Sequence, residues 1–411
     1  PEVDPERIGI TGRSGGGTQS AYIGALDDRI LVAAPECYIT SFLRLIQSIG
    51  PQDAEQNPYR AIEQGFNHPD FLHARAPKPT LIVTTTHDFF SIQGARETFS
   101  EAKRSFDAFG KPENIEFIED NGVHESTKTN RETVYAFFQK HLNLPGNSKD
   151  ENVNFFTPEE LHVTPTGQVG TSYPGETVFS LNKKYFSPLD VPQNELKAFI
   201  KNIAGIHFNR NLTSAVYTGK FSSSGQEIKK YFLENDQEDF ALPVFVVQKE
   251  EINPTKTLVW LHPGGKEKIL EEAMLPAFLE EGYKVISCDL PGTGELNDPG
   301  FSGDGFVRGV PFNYTFGANL IGKSVPGIQA EAIELFMQFV KQLDNPSGFG
   351  ADVLVQENAT SPLLHFTALS NPFRKIVLLN PPDAFKNLIE QEYYDPWSAF
   401  YVAPGSLPFY D

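Results

Sequence analysis

The 411-residue chain is poor in cysteine, in basic residues and in long apolar runs. Its two cysteines, Cys37 and Cys288, are too few and too far apart for a disulfide framework or a cysteine-based metal site. No metal or cofactor is expected. Lys and Arg number 34 against 53 Asp and Glu, a net charge of −19. That balance argues against broad contact with nucleic acid or an anionic membrane, since both need clustered cations. No stretch of about 18 apolar residues exists, so no membrane-spanning helix is expected. Low-complexity tracts are missing too. The chain starts at Pro1, with neither Met nor a signal-peptide pattern. What remains is ordinary globular composition, 39% apolar and 12% aromatic. At roughly 100–200 residues per domain, the length implies two or more domains.

The first segment alternates short apolar runs with helical spacing. Ile8 to Thr11, "RILVAAP", "PTLIVTTTHD" and "NIEFIE" are predicted strands. Gly15 to Leu26, "SIQGARETFSEAKRSFDAFG" and "RETVYAFFQKHL" are predicted helices, the second ending at Gly110. Strands separated by helices imply a parallel sheet covered on both faces. Residues 1–146 form this first module, and the polar, Gly/Pro/Asn-rich residues 147–154 read as a linker. Residues 155–411 form a second module. Its residues 155–250 show few clear periods; the α/β rhythm then returns in "TLVWLHPGG", "KEKILEEAMLPAFLEEG", "YKVISCDLPGTG", "PGIQAEAIELFMQFVKQL", "ADVLVQ" and "RKIVLLNPP". The order strand, turn, helix, strand around Ser14 recurs in "DVLVQENATSPLLHFTALSNPFRKIVLLNPP". There, Ala359 or Thr360 falls opposite Ser14.

Gly12-Arg13-Ser14-Gly15-Gly16 fits G-x-S-x-G, a strained strand-to-helix turn that needs small residues around its serine. A phosphate-binding loop is poorly supported, because no Lys precedes the Thr of "GGGT", and G-x-G-x-x-G is absent here. A plain Gly-rich turn is the bland alternative. The partners decide between them. In α/β-hydrolases the order is serine, acid, histidine, with the acid and the histidine after later strands. Asp88 ends "LIVTTTHD", and His124 follows "NIEFIEDNGV". Each also has a lesser reading: Asp88 as a helix cap and His124 as a surface-loop histidine. His87, Glu119 and Asp120 are rivals. The chain order favours Ser14 as nucleophile, His124 as base and Asp88 as its orienting acid, with the Gly15 N–H as one oxyanion donor.

Only seven residues precede Ile8, whereas a hydrolase sheet needs several strands before its nucleophile. The first module is therefore expected to be the C-terminal half of a catalytic unit, and the activity of this chain alone is in doubt. "LHPGGK" (Leu261–Lys266) could act as an oxyanion loop for it, but reads more simply as a turn of its own module. The second module reads as non-catalytic, since "QENATSP" lacks the flanking glycines, and as C-terminally truncated. The expected fold is thus α/β, a doubly wound, mostly parallel sheet of the α/β-hydrolase type, in two incomplete modules.

The segments "RIGITGRSGGGTQSAYIGALDDRI", "THDFFSIQGARETFSEAKRSFDAFG" and "NGVHESTKTNRETVYAFFQKHL" resemble the C-terminal half of acetyl xylan esterase-like α/β-hydrolases. "LHVTPTGQV", "LHPGGKEK" and "GKSVPGIQAEAIELF" resemble tandem members carrying a second hydrolase-like module. The resemblance covers most of the chain, weakly in 170–250. It implies Ser14, Asp88 and His124 as triad, deacetylation of plant polysaccharide or oligosaccharide as activity, and a secreted or periplasmic setting. The chain departs from the pattern in its missing N-terminal half and in "VHEST", where glycine or tyrosine after the histidine is more usual. A prolyl oligopeptidase-type serine peptidase shares the sheet and the triad order. A binding or scaffold protein built on the second module is the non-enzymatic alternative.

Overall fold

The computed structural model describes residues 3–250, 252–297, 306–343 and 350–411. The chain divides into two compact units, the first running through Glu176 and the second starting at Thr177. Among the described residues, no helix is long and apolar enough to cross a membrane.

The first unit is built on four strands in the order of the sequence: β1 (Ile8–Arg13), β2 (Ile30–Glu36), β3 (Thr80–Thr85) and β4 (Ile115–Asp120). Every pairing is parallel. Each crossover carries helix: α1 (Gly15–Leu26) after β1, α2 (Phe42–Ser48) and α3 (His68–Arg75) after β2, and α4 (Ile92–Ala108) after β3. The helix α5 (Lys128–His141) follows β4. β3 is buried throughout, which explains why its sequence is a continuous apolar and threonine run rather than an alternation. Its side chains nonetheless sort by parity. Leu81 and Val83 pack with Val32, Val134 and Phe137 on the α5 side. Ile82 packs with Phe71, Leu72 and Phe106 on the side of α3 and α4. The sheet is therefore covered on both faces, as the alternation of elements implies.

Two local features fix the ends of these elements. α4 starts at Ser91, whose hydroxyl accepts the Gly94 N–H at 3.4 Å, and the chain leaves it through Gly110 at φ 68°. Arg75, buried at the end of α3, donates to Gly24 O at 2.7 Å, Leu31 O at 3.1 Å, Pro79 O at 3.0 Å and Thr80 Oγ1 at 2.9 Å. It thus joins the last turn of α1 to the starts of β2 and β3. Beyond α5, Lys149 pairs with Glu132 at 2.7 Å and Asp150 with Arg131 at 2.5 Å. The early part of the expected linker is thereby tied to the helix it follows.

The second unit holds a seven-stranded sheet. Its strands are β5 (Leu212–Ser223), β6 (Gln226–Asn235), β7 (Ala241–Lys249), β8 (Lys256–Leu261) and β9 (Tyr283–Cys288), then β12 (Asp352–Gln356) and β13 (Lys375–Leu379). A two-stranded hairpin, β10 (Phe306–Val307) and β11 (Val310–Pro311), stands apart. The order is β13-β12-β8-β9-β7-β6-β5. β9, β8, β12 and β13 pair in parallel, whereas β5, β6 and β7 form an antiparallel meander that joins through β7 and β9. This corrects the expectation of a mostly parallel sheet. The meander escaped sequence reading because β5 faces solvent along most of its length and β6 carries charges between its buried positions. The helix Val325–Leu343 begins with Pro326 in its first turn, as expected, and buries a wide apolar face against the sheet. "KEKILEEAMLPAFLEEG" is not one helix. It is a short 3₁₀ turn over Lys268–Glu271, then a helix over Leu275–Glu280 restarted at Pro276, whose ring is tolerated only in a first turn.

The repeat in this unit is also placed differently. β1 leads to Ser14 at φ 58°, and β12 leads to Glu357 at φ 48°. β2 leads to Cys37 at φ 50°, and β13 leads to Asn380 at φ 48°. The residue in the position of Ser14 is therefore Glu357, not Ala359 or Thr360. A short 3₁₀ turn between β12 and the helix Thr360–Leu369 shifts the spacing that sequence matching assumed.

Candidate active site

In a parallel sheet, the loops that leave the carboxyl ends of the strands meet on one edge. In the first unit these loops carry Ser14 after β1, Glu36 and Cys37 at the end of β2, Asp88 after β3 and His124 after β4.

Ser14 is held between β1 and α1 at φ 58° and ψ −122°, a backbone region that costs roughly 1–3 kcal/mol for a residue with a side chain. Its neighbours explain how the strain persists. The Ser14 N–H donates to Glu36 O at 3.0 Å, and Ser14 O accepts the Thr18 N–H at 2.9 Å, the first bond of the helix. A Cβ on Gly12 would lie 2.6 Å from Gly16 O, and one on Gly17 would overlap Glu36 O. A Cβ on Gly16 would meet nothing within 4 Å. The demand for glycine thus falls on Gly12, as the pentapeptide implies, and on Gly17 rather than Gly16. Gly15 opens α1, where the first amides have no carbonyl one turn back and are available to an anion. A Cβ on Gly15 would lie 3.0 Å from Glu55 Oε1, so that carboxylate borders the turn.

Asp88 and His124 are brought together. His124 Nδ1 lies 2.9 Å from Asp88 Oδ1 and 3.1 Å from Oδ2. The Asp88 side chain is 2% exposed and that of His124 is 22% exposed. A carboxylate only accepts, so Nδ1 carries the proton in this pair and Nε2 is left to receive one. The rings of Phe89 and Phe90 stand 4.3 and 5.8 Å from the imidazole. Asp88 Oδ1 also accepts the Phe90 N–H at 3.0 Å, while the cap of α4 is Ser91. The rival groups are engaged or turned away. Glu119 pairs with Arg96 at 2.5 Å, Asp120 has its carboxyl held below the usual range first by the Thr127 hydroxyl, and His87 is exposed. Ser14 Oγ makes no hydrogen bond to His124. Such contacts often tighten only with substrate bound.

Sequence reading missed the corner that joins these loops. Glu36 is 6% exposed, and its carboxylate accepts from the Ser126 hydroxyl, two residues beyond His124. Burial raises its pKa, against the opposing pull of Ser126 and of the Arg13 charge. The Cys37 N–H donates to Val83 O at 2.9 Å, and its sulfur stands 3.7 Å from Glu125 O. An acid closing the buried run "ILVAAPE" was the available signal. Cys37 Sγ, an Asp88 oxygen and a His124 nitrogen lie within 4.8 Å of one another, a grouping of metal-ligand type. Burial, then the neighbouring Asp88, pushes the Cys37 thiol well above its usual range.

The arrangement comprises a strained, partly exposed serine at a helix N-terminus and, on the same sheet edge, an imidazole oriented by a buried carboxylate.

No protein-family model matches the chain, and no curated protein matches it. Among solved structures it is similar to a putative acetyl xylan esterase from Bacteroides fragilis, at 14% identity and a TM-score of 0.39, over 54% of this chain and 64% of that one. It is similar to a glucuronoyl esterase of carbohydrate esterase family 15 from Caldicellulosiruptor kristjansonii, at 21% identity and a TM-score of 0.29, over 38% and 49% of the two chains. An acetyl xylan esterase from Paenibacillus sp. R4 is 13% identical, with a TM-score of 0.36, over 56% of this chain and 74% of that one. The chain thus spans less than two thirds of the first two of these structures.

Proposed function

We propose that this chain is a serine carboxylic-ester hydrolase in which Ser14 is the nucleophile, His124 the proton carrier and Asp88 the acid that orients it. The observation that carries this reading is the buried Asp88 carboxylate on His124 Nδ1 at 2.9 Å, on the sheet edge where the strained Ser14 turn also lies. In the first half-reaction, Ser14 Oγ bonds to the ester carbonyl carbon while its proton passes to His124 Nε2. Asp88 accepts the Nδ1–H throughout and balances the charge of the imidazolium. The carbonyl oxygen becomes an oxyanion that accepts from the Gly15 N–H, at the positive end of α1. The tetrahedral adduct collapses, His124 gives its proton to the leaving alcohol, and the acyl group remains on Ser14. Water then attacks the acyl carbon, with its proton going to His124. The acid departs, and the proton returns to Ser14 Oγ.

The substrate class follows from the sequence resemblance to acetyl xylan esterase-like hydrolases, which implies an acetylated polysaccharide or oligosaccharide. The test is acetate release from acetylated xylo-oligosaccharides by the 411-residue chain. The expected result is release that Ser14→Ala abolishes. Cleavage of peptides without acetate release would favour the peptidase reading instead.

A further inference from the structure

The end of β2 is connected to the loops that carry Ser14 and His124, and to the strand β3 that Asp88 follows. Glu36 offers its main-chain oxygen to the Ser14 N–H at 3.0 Å and its carboxylate to the Ser126 hydroxyl. The next residue, Cys37, bonds β3 through Val83 O. From the far side, Arg131 Nη1 donates to Ser126 O at 2.5 Å while its guanidinium pairs with Asp150 at 2.5 Å. Thr85 Oγ1 donates to Val123 O at 2.6 Å, and His87 N–H to Gly122 O at 2.9 Å. The loop bearing His124 is therefore held on both sides of the histidine, and on the side that follows it Glu36 and Arg131 both bond Ser126.

A buried carboxylate is costly to keep, and this one is held by the Ser126 hydroxyl, with the Arg13 charge and the Asn130 side chain also favouring its ionised form. What Glu36 supplies is a link: one residue whose backbone fixes the nucleophile turn and whose side chain fixes the histidine loop.

We infer that Glu36 is a positioning residue that sets His124 against Ser14 by bonding both loops at once. The inference rests on the triad reading above. A displacement of about 1 Å between reacting groups can cost on the order of 100-fold in rate.

The experiment measures kcat, KM and melting temperature for acetate release by the 411-residue chain and its Ser14→Ala, Glu36→Ala, Glu36→Gln, Glu36→Met and Ser126→Ala variants. Glu36→Ala and Ser126→Ala are each expected to lower kcat on the order of 30–100-fold with KM nearly unchanged. Glu36→Gln keeps an acceptor for Ser126 and is expected to restore kcat to within about threefold of the parent, whereas Glu36→Met, which fills the same space without an acceptor, is expected to stay as low as Glu36→Ala. If Glu36→Ala does not fold, Ser126→Ala decides the matter by the same kcat criterion. Parent-like kcat in Ser126→Ala overturns the inference. So does a folded Glu36→Gln as inactive as Glu36→Ala, because the charge and not the bond would then be at work. If Ser14→Ala keeps full activity, the triad reading itself is lost; if it is inactive while Glu36→Ala and Ser126→Ala are not, only the role of Glu36 is lost.

Discussion

Asp88 Oδ1 accepts from two groups at once, His124 Nδ1 at 2.9 Å and the Phe90 N–H at 3.0 Å. Of the two readings open to Asp88 from sequence, helix cap and partner of the histidine, the cap falls to Ser91, while the oxygen that bonds the histidine also closes a turn at Phe90. The turn thus fixes the carboxylate that bonds the imidazole.

Asp88→Asn separates these hydrogen bonds from the charge. An asparagine can keep one acceptor oxygen for both the Phe90 N–H and Nδ1, but it lacks the negative charge that balances the imidazolium. The expected loss in kcat is roughly 10³–10⁴-fold, with the melting temperature nearly unchanged. Esterase kinetics and calorimetry on the purified variant check both halves.

Gly16→Ala and Gly17→Ala should differ although they are adjacent. Alanine at Gly16 meets open space, whereas alanine at Gly17 overlaps Glu36 O, the acceptor that holds Ser14. Gly17→Ala is expected to cost roughly 1–3 kcal/mol and to abolish activity, while Gly16→Ala leaves stability within about 0.5 kcal/mol. Urea unfolding of the two variants measures the contrast.

Much of the first unit was legible in the sequence, because its signals are local. "RILVAAP" and "PTLIVTTTHD" are apolar enough to be buried strands, and Ser91 and Gly110 delimit α4. Asp88 and His124 could be picked out because each follows a strand in chain order. What stayed hidden depends on contacts distant in sequence. Glu36 and Ser126 meet only when β2 and the loop after β4 are folded together. The meander of the second unit is held by pairing between strands such as β6, with Tyr231 opposite Val244, whose own sequences are half polar. Glu357 was missed because a 3₁₀ turn, invisible to spacing, precedes the helix there.

Arg75→Lys is expected to be costly despite keeping the charge. The guanidinium serves four acceptors around the ends of α1, β2 and β3. One ammonium cannot reach them all, which leaves buried carbonyls unpaired. Burial already lowers the Arg75 pKa to about 10. A loss of about 2–4 kcal/mol in unfolding free energy is expected, measured by chemical denaturation.

His68 gives the first unit an acid-sensitive element. The ring is fully buried, accepts the Thr40 N–H on Nδ1 at 3.2 Å and stacks on Tyr38 at 4.8 Å. Burial lowers its pKa to about 3, against about 6.5 in an unfolded chain. Between these values the unfolded state binds a proton that the folded state refuses. Stability is therefore present above about pH 6.5 and declines as pH falls towards 3, by at most about 1.4 kcal/mol per pH unit. The stability gap between the parent and His68→Gln should narrow as pH drops from about 7 to about 5, followed by urea unfolding at each pH.

The central claim is that Ser14 is a nucleophile activated by His124. A serine-directed fluorophosphonate, reacted with the chain and followed by peptide mapping, tests it most directly. The phosphonyl group is expected on Ser14, and the label should be lost in His124→Ala while the fold persists. Labelling at another residue, or labelling of Ser14 that His124→Ala leaves undiminished, would contradict it.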